Sequence, residues 1–297
     1  MKNINEINRN LDAVQQTRHI TNAMYMLSAT AMRRGLAQID FNRRYMRNIC
    51  LAVKDIVEKS PEVRNIFTHG DGYKGQRDTA ILALASDKSL CGAYNHAVAA
   101  EVQRQIGRVT AEGRETIVYT SGTRLEEILR GRNAEVYRNF DGASQSPSMY
   151  RAYTMAQEML EIYRCGYVQD VYVLFTGYRS AAEQPVLCQR LLPLTVENFE
   201  NVALRRPYEA KMTYEPSEEA VYEKLVPAYL QGFLYGCLCS AYVCENLARM
   251  TAMQSATHNA DEMMKNLETA YNTARQQIIT SELTEIAAAT ELMNKAI

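Results

Sequence analysis

Three groups of residues are of types that could do chemistry. Cys91 and His96 offer a thiol and a base, the pair that an activated nucleophile requires. Five residues across a helix start give no reason for hydrogen-bond contact, so the spacing reads better as a tight turn with a buried cysteine. Cys237, Cys239 and Cys244 could suggest a metal, but thiolate sites use close C-x-x-C pairs with a second pair elsewhere. Cys237 and Cys244 are seven apart, share a helical face and read as small core side chains. The turn Ser86 to Asn95 has one glycine, Gly92, where a dinucleotide fingerprint has three, and it lacks the Gly-Lys-Ser/Thr of a P-loop. His19, His69 and His258 stand alone, without ligand spacing. The sequence therefore presents no catalytic residues, no metal ligands and no cofactor motif.

The elements around that turn alternate between strand and helix. Thr79 to Ala85 is an apolar run of the kind found in buried parallel strands. Tyr94 to Ile106 then reads as a helix, Thr116 to Thr120 as a strand, Thr123 to Leu129 as a helix and Glu135 to Asn139 as a strand. Pro147 opens a helix to about Tyr163, and Val171 to Thr176 is again a strand. Pro185 to Pro193 follows too closely for a helical crossover and is expected as an antiparallel edge strand.

Both ends read as long helices. From Asn3 to Lys59 there is no proline and one glycine, Gly35, with Ile4, Ile7, Leu11, Val14, Ile20, Met24, Leu27 and Met32 as the apolar stripe. In the C-terminal segment the stripe is Ala260, Met263, Met264, Leu267, Tyr271, Ala274 and Ile278. A helix from Glu218 to Leu292 would be about 110 Å long at 1.5 Å per residue and needs an elongated partner. Charge favours pairing the two ends: Arg18, Arg33, Arg34, Arg43, Arg44 and Arg47 meet only Asp40 in their window, whereas acids exceed bases after Glu245. The expected fold is α/β: a long antiparallel two-helix coiled coil with a Rossmann-like doubly wound sheet domain inserted between its strands. The expected segments are 1–60 (first helix), 61–78 (loop), 79–216 (sheet domain) and 217–297 (last helix).

The totals agree with a folded protein. At 297 residues and 47% apolar there is enough for a proper core, and a net charge of -1 gives no global argument for nucleic acid or an anionic membrane. Seven cysteines without framework spacing or a cleavable leader suggest a reducing compartment. The uncharged run Leu225 to Cys244 is long enough to cross a membrane, but Pro227, Gln231, Gly232, Gly236 and Tyr235, and the absence of a basic flank, favour a buried helix.

The ends carry a family resemblance. Thr17-Arg18-His19-Ile20-Thr21-Asn22-Ala23-Met24-Tyr25-Met26, followed by Met32-Arg33-Arg34, resembles the N-terminal signature of the gamma subunit of F-type ATP synthase. Ala248-Arg249-Met250-Thr251-Ala252-Met253, Tyr271-Asn272-Thr273-Ala274-Arg275-Gln276 and Ile279-Thr280-Ser281-Glu282-Leu283-Thr284-Glu285-Ile286 resemble its C-terminal signature. Ser86 to Gly92, Leu191 to Leu194 and Tyr214-Glu215-Pro216 also fit, so the likeness runs from the first residues to about Ile286. Departures are Asn22 and Ala31 where the family has Lys, and Lys88-Ser89-Leu90-Cys91-Gly92-Ala93 where it has Arg-Gly-Leu-Cys-Gly-Gly. The resemblance implies that the lost lysines thin a basic collar that would face the catalytic subunits.

The resemblance implies a subunit with no chemistry of its own, binding no nucleotide or cofactor, that serves as the central-stalk rotor shaft. It would couple proton or Na+ flow through the membrane c ring to ATP synthesis or hydrolysis. Its implied partners are the alpha and beta subunits, epsilon and the c ring, without nucleic acid, and its implied place is peripheral, on the cytoplasmic face of a bacterial membrane. Contacts with the alpha/beta ring are expected at Met24, Arg33, Arg34, Arg249, Arg275, Gln276 and Glu282, and contacts with epsilon or the c ring at Tyr214 and Glu215. Arg275 and Gln276 are further expected opposite the early first helix, near Asn22. Taken without the resemblance, the residues also fit a coiled-coil scaffold or adaptor, or a small-molecule enzyme using the sheet's crevice.

Overall fold

The computed structural model describes residues 4–59, 67, 78–194 and 213–295. The expected loop at 61–78, with His69, lies outside them except for Phe67 and Asp78. In chain order the elements are α1 (Ile4–Lys59), β1 (Thr79–Leu84), α2 (Tyr94–Ala111), β2 (Thr116–Ser121), α3 (Thr123–Arg130), β3 (Arg138–Asn139), α4 (Met149–Arg164), β4 (Asp170–Thr176), β5 (Val186–Leu192) and α5 (Glu218–Lys295). The chain divides into two compact units, one of Met1–Ser28 with Met250–Ile297 and one of Ala29–Arg249. The sequence-predicted α/β class, with its long terminal helices and inserted sheet, is the fold observed.

In the unit Ala29–Arg249 a five-stranded sheet has the order β3-β2-β1-β4-β5. β1 pairs in parallel with β2 and β4, while β5 runs antiparallel to β4 as the edge. Every residue of β1 is buried, as a strand with both faces covered requires. Its side chains alternate between two cores. Ala80, Leu82 and Leu84 pack with Met155 and Met159 of α4, Val53 and Ile56 of α1, and Tyr222 to Leu238 of α5. Ile81 and Ala83 pack with Val98 and Val102 of α2, Leu125 and Leu129 of α3, and Cys244 of α5. The run from Leu225 to Cys244 is thus a buried helix, with Val226, Leu230, Leu234 and Cys237 to Cys239 inside. No described helix is long and apolar enough to cross a membrane.

Glycine permits close approach of α1 and α5 in this unit. A Cβ on Gly35 would stand 2.6 Å from Val243 Cγ2, and one on Gly232 would stand 2.2 Å from Met46 Sδ. Asn42 donates through Nδ2 to the Gly232 carbonyl at 2.9 Å, fixing the two backbones at that crossing.

Three elements differ in their bounds from expectation. α4 starts at Met149 and not at Pro147, because Ser148 caps it by accepting from the Arg151 amide at 3.3 Å. β3 has two residues in place of five: Tyr137 still donates to the Val118 carbonyl, but its ring is 69% exposed at the rim. α2 runs past Gly107 to Ala111 and stops before Gly113, whose φ of +73° suits glycine.

In the unit Met1–Ser28 with Met250–Ile297, the two helix ends pair antiparallel. The least exposed positions recur at 7, 11, 14, 18, 21, 25 and 28 on α1, and at 253, 257, 260, 264, 267, 271 and 274 on α5. Both series alternate three and four, the seam of a coiled coil.

Candidate functional site

Open α/β sheets bind ligands beyond the carboxyl ends of their strands, where the strand order reverses. Here that point lies between β1 and β4, and residues 240 to 249 of α5 occupy it. Ser240 Oγ donates to the Thr176 carbonyl at the end of β4 (3.0 Å) and accepts from the Tyr178 amide (2.7 Å). Tyr94 donates its hydroxyl to the Ala241 carbonyl at 3.1 Å. Arg249 reaches Ser86 Oγ at 3.5 Å and the Ser89 carbonyl at 3.4 Å, and pairs with Glu245 at 2.8 Å. The start of α3 is taken as well: Asp87 accepts from the Thr123 amide at 3.0 Å, filling the place where a helix N-terminus would attract a phosphate.

The turn itself is held from within. Asn95, buried, accepts from the Ser86 amide at 3.0 Å and donates to the Lys88 carbonyl and to Cys91 Sγ. Cys91 is buried and His96 exposed, so the structure does not bring the thiol and imidazole together; the buried-turn reading is the one observed. Burial pushes the Cys91 thiol pKa up, opposed by the Arg249 charge. Glu245 is likewise raised, by burial first, with Arg249 opposing. A thiol in that state is a weak nucleophile. Cys237 and Cys244 are also buried with raised pKa values, in keeping with small core residues.

The residues expected to meet partners fall in several environments. Arg33 and Arg34 are exposed on α1, and Arg275, Gln276 and Glu282 are exposed on α5; Met24 is half-buried. Arg249 departs from the expectation of an outward contact, because its guanidinium is turned into the Ser86–Ser89 turn and the residue is 8% exposed. Tyr214 points its hydroxyl at Asp55 (2.9 Å), while Glu215 is exposed.

The helix pair corrects two expectations. After Val14 the seam carries Arg18, Thr21 and Ser28, whereas Ile20 and Leu27 of the expected stripe are 61% and 71% exposed. On α5, Met263 and Ile278 are similarly outside. Apolar periodicity found the seam at Ile7, Leu11 and Val14 and at Ala260, Met264, Leu267, Tyr271 and Ala274, but lost the phase on α1 after Val14, where polar residues occupy seam positions. Arg18 pairs with Asp261 at 2.5 Å, and the Thr21 and Thr257 hydroxyls meet at 2.8 Å. Two heptads beyond Asp261 is Arg275, and two heptads before Arg18 is Ile4. Arg275 therefore faces the start of α1, while Asn22 falls opposite about position 256, roughly 28 Å away along the axis. Residues 275 to 289 are exposed throughout, with Ile279, Leu283 and Ile286 at 43%, 62% and 63%.

Two long terminal helices with a five-stranded α/β domain inserted between them in the chain define the class of this fold. The model of the family described as "ATP synthase" matches residues 3–293. The chain belongs to this family, among the ATP synthase gamma chains. It is 32% identical to the ATP synthase gamma chain of Caldicellulosiruptor saccharolyticus over 94% of this chain and 95% of the relative. It is 30% identical to the "ATP synthase gamma chain, sodium ion specific" of Acetobacterium woodii over 99% of each. Among solved structures, a chain of the Euglena gracilis mitochondrial ATP synthase (OSCP/F1/c-ring, rotational state 3) has a TM-score of 0.65 at 14% identity, covering 98% of this chain and 94% of that one.

Proposed function

We propose that this gamma chain is the central shaft of its ATP synthase and contributes no catalytic group. It transmits rotation between a membrane c ring and an alpha/beta ring, and it sits peripherally on the cytoplasmic face of a bacterial membrane. The observation that carries this reading is the exposed stretch of α5, residues 275 to 289, which displays Ile279, Leu283 and Ile286. Apolar side chains on an exposed helix call for a partner surface. Arg275, Gln276 and Glu282 supply polar handles beside them, and Met24, Arg33 and Arg34 offer further contacts with alpha and beta. Arg249 is reassigned to holding the turn. Glu215, exposed, is the candidate for contact with epsilon or the c ring, with Tyr214 anchoring its strand of chain to Asp55. The non-catalytic assignment is supported by α5 occupying the sheet's crevice.

Reconstitution tests the reading. Purified alpha and beta subunits with this chain should form a complex with ATPase activity that the chain lacks alone, and the isolated chain should not bind ATP in a titration. Tight ATP binding by the chain, or failure to recover alpha and beta with it, would overturn the proposal.

A further inference from the structure

The outward face of α1 between Arg33 and Arg47 has a composition that solvation alone does not explain. At about 100° per residue, Arg33, Ala37, Asp40, Phe41, Arg44 and Arg47 fall within an arc of roughly 120°. All six are exposed, Phe41 at 68%, and Tyr45, just outside the arc, is exposed at 42%. Gly35, Asn42 and Met46, which meet α5, lie on the opposite side of the helix. The face is about 21 Å long and belongs wholly to the unit Ala29–Arg249.

Its cations are not spent on the chain itself. Arg33 Nε donates to the Ala29 carbonyl of its own helix at 3.4 Å, and Asp40 is met at 3.7 Å by Arg43 at the edge of the arc. Among the described residues, the guanidinium groups of Arg44 and Arg47 have neither an ion pair nor a hydrogen bond. Three guanidinium groups around an exposed phenyl ring select a partner. Guanidinium forks bind carboxylates through two parallel hydrogen bonds, and the ring calls for an apolar side chain between them. A phosphate polymer fits less well. Asp40 stands within two turns of Arg33, Arg44 and Arg47 and would repel a uniformly negative strand, and the chain's net charge of -1 supplies no long-range field toward one.

We infer that this face docks an acidic protein segment carrying an apolar side chain among its carboxylates, supplied by a subunit that assembles with this chain. Arg44 and Arg47 hold the carboxylates, and Phe41 packs on the apolar side chain. These three residues extend along α1 the contacts proposed for Arg33 and Arg34. The source of the segment rests on the shaft reading; its chemistry does not.

Photocrosslinking in a reconstituted complex with alpha, beta and epsilon subunits identifies the segment. With Phe41→p-benzoylphenylalanine, peptide mapping should find an adduct to a subunit segment that has carboxylates on both sides of the crosslinked residue. Arg44→Glu combined with Arg47→Glu should lower the adduct yield at least tenfold, whereas Arg44→Lys with Arg47→Lys, which keeps the charge, should lower it less. An adduct to a segment without carboxylates, a yield unmoved by charge reversal, or no adduct in a complex that holds alpha and beta would overturn the inference. Failure to recover alpha and beta at all would instead count against the shaft reading, and a titration of the full-length chain alone then decides. A fluorescent peptide of Glu-Glu-Leu-Leu repeats should bind the parent chain at least tenfold more tightly than the Arg44→Glu, Arg47→Glu chain, and more tightly than a single-stranded oligonucleotide of equal charge. Equal binding by the two chains, or a preference for the oligonucleotide, would overturn it.

Discussion

The carboxylate of Glu245 stands 2.8 Å from the guanidinium of Arg249, one turn along the same helix, with both side chains about nine-tenths buried. Because Arg249 also reaches Ser86 Oγ and the Ser89 carbonyl, this intrahelical pair ties α5 to the end of β1. Removing one member strands the other charge in a dry site. Arg249→Ala should cost about 3–5 kcal/mol, measured by urea unfolding, whereas the double change Glu245→Gln with Arg249→Met should cost far less.

The same pair gives a pH dependence with a definite sign. Burial holds the folded-state pKa of Glu245 above its unfolded value, near 4.3 for a free glutamate. Its contribution therefore favours folding below about pH 4 and is lost as pH rises through the raised value. Glu245→Gln, which keeps an acceptor for Arg249 and does not ionise, should gain stability relative to the parent chain as pH rises through that window. Parallel stability curves for the two chains would refute this.

Gly35 and Gly232 make opposite forecasts from similar geometry. Alanine improves helix propensity by up to about 1 kcal/mol, but the new Cβ on Gly35 meets Val243 Cγ2 at 2.6 Å and Tyr242 Cδ1 at 3.0 Å. Valine is stiff at χ1 and buried, so it cannot yield; Gly35→Ala should lose about 1–2 kcal/mol net. At Gly232 the nearest atom is the sulfur of Met46, the flexible end of a long side chain, and Gly232→Ala should fall within about 1 kcal/mol of neutral. Thermal unfolding of the two variants decides the order.

Cys91→Ala should leave the ATPase activity of an assembled complex near that of the parent and lower stability by about 1 kcal/mol, as expected for one small buried side chain. Its raised pKa also forecasts slow alkylation at neutral pH. Loss of activity in a complex that still assembles would show a role for this turn beyond structure.

Arg275→Ala with Gln276→Ala should lower both ATP hydrolysis and ATP-driven ion pumping while assembly survives, because both side chains are exposed on α5 and support none of its packing. Asn22→Lys should alter the ratio of pumping to hydrolysis more than hydrolysis itself. Since Asn22 lies roughly 28 Å along the axis from Arg275, its effect should add to that of the double alanine change. Full activity of the double variant would remove these two residues from coupling.

Much of this protein was legible in its residues. The apolar run of β1, the proline-free first fifty-odd residues and the three-and-four spacing at both ends determined the elements, since backbone periodicity decides which side chains can share a face. The antiparallel edge strand followed from a connection too short for a crossover. The family signatures were legible for the same reason, being local strings of residues.

What only the tertiary structure decided was phase and partnership. Ile20 and Leu27 looked like seam residues because they are apolar, yet Arg18, Thr21 and Ser28 stand on the seam, because the three-and-four series from Ile7, Leu11 and Val14 continues through 18, 21, 25 and 28 and leaves positions 20 and 27 on the outer face. Arg249 stands in a string of residues that reads as a partner contact, but a helix face has no sign until something packs on it, and here Ser86, Ser89 and Glu245 turn the guanidinium inward. Likewise the missing glycines at Ser86 to Asn95 argued against a bound nucleotide, while the reason the crevice is closed lay some 150 residues further along, in Ser240, Ala241 and Arg249. Contacts at such separations depend on where folding brings the chain back, and no local pattern encodes that distance.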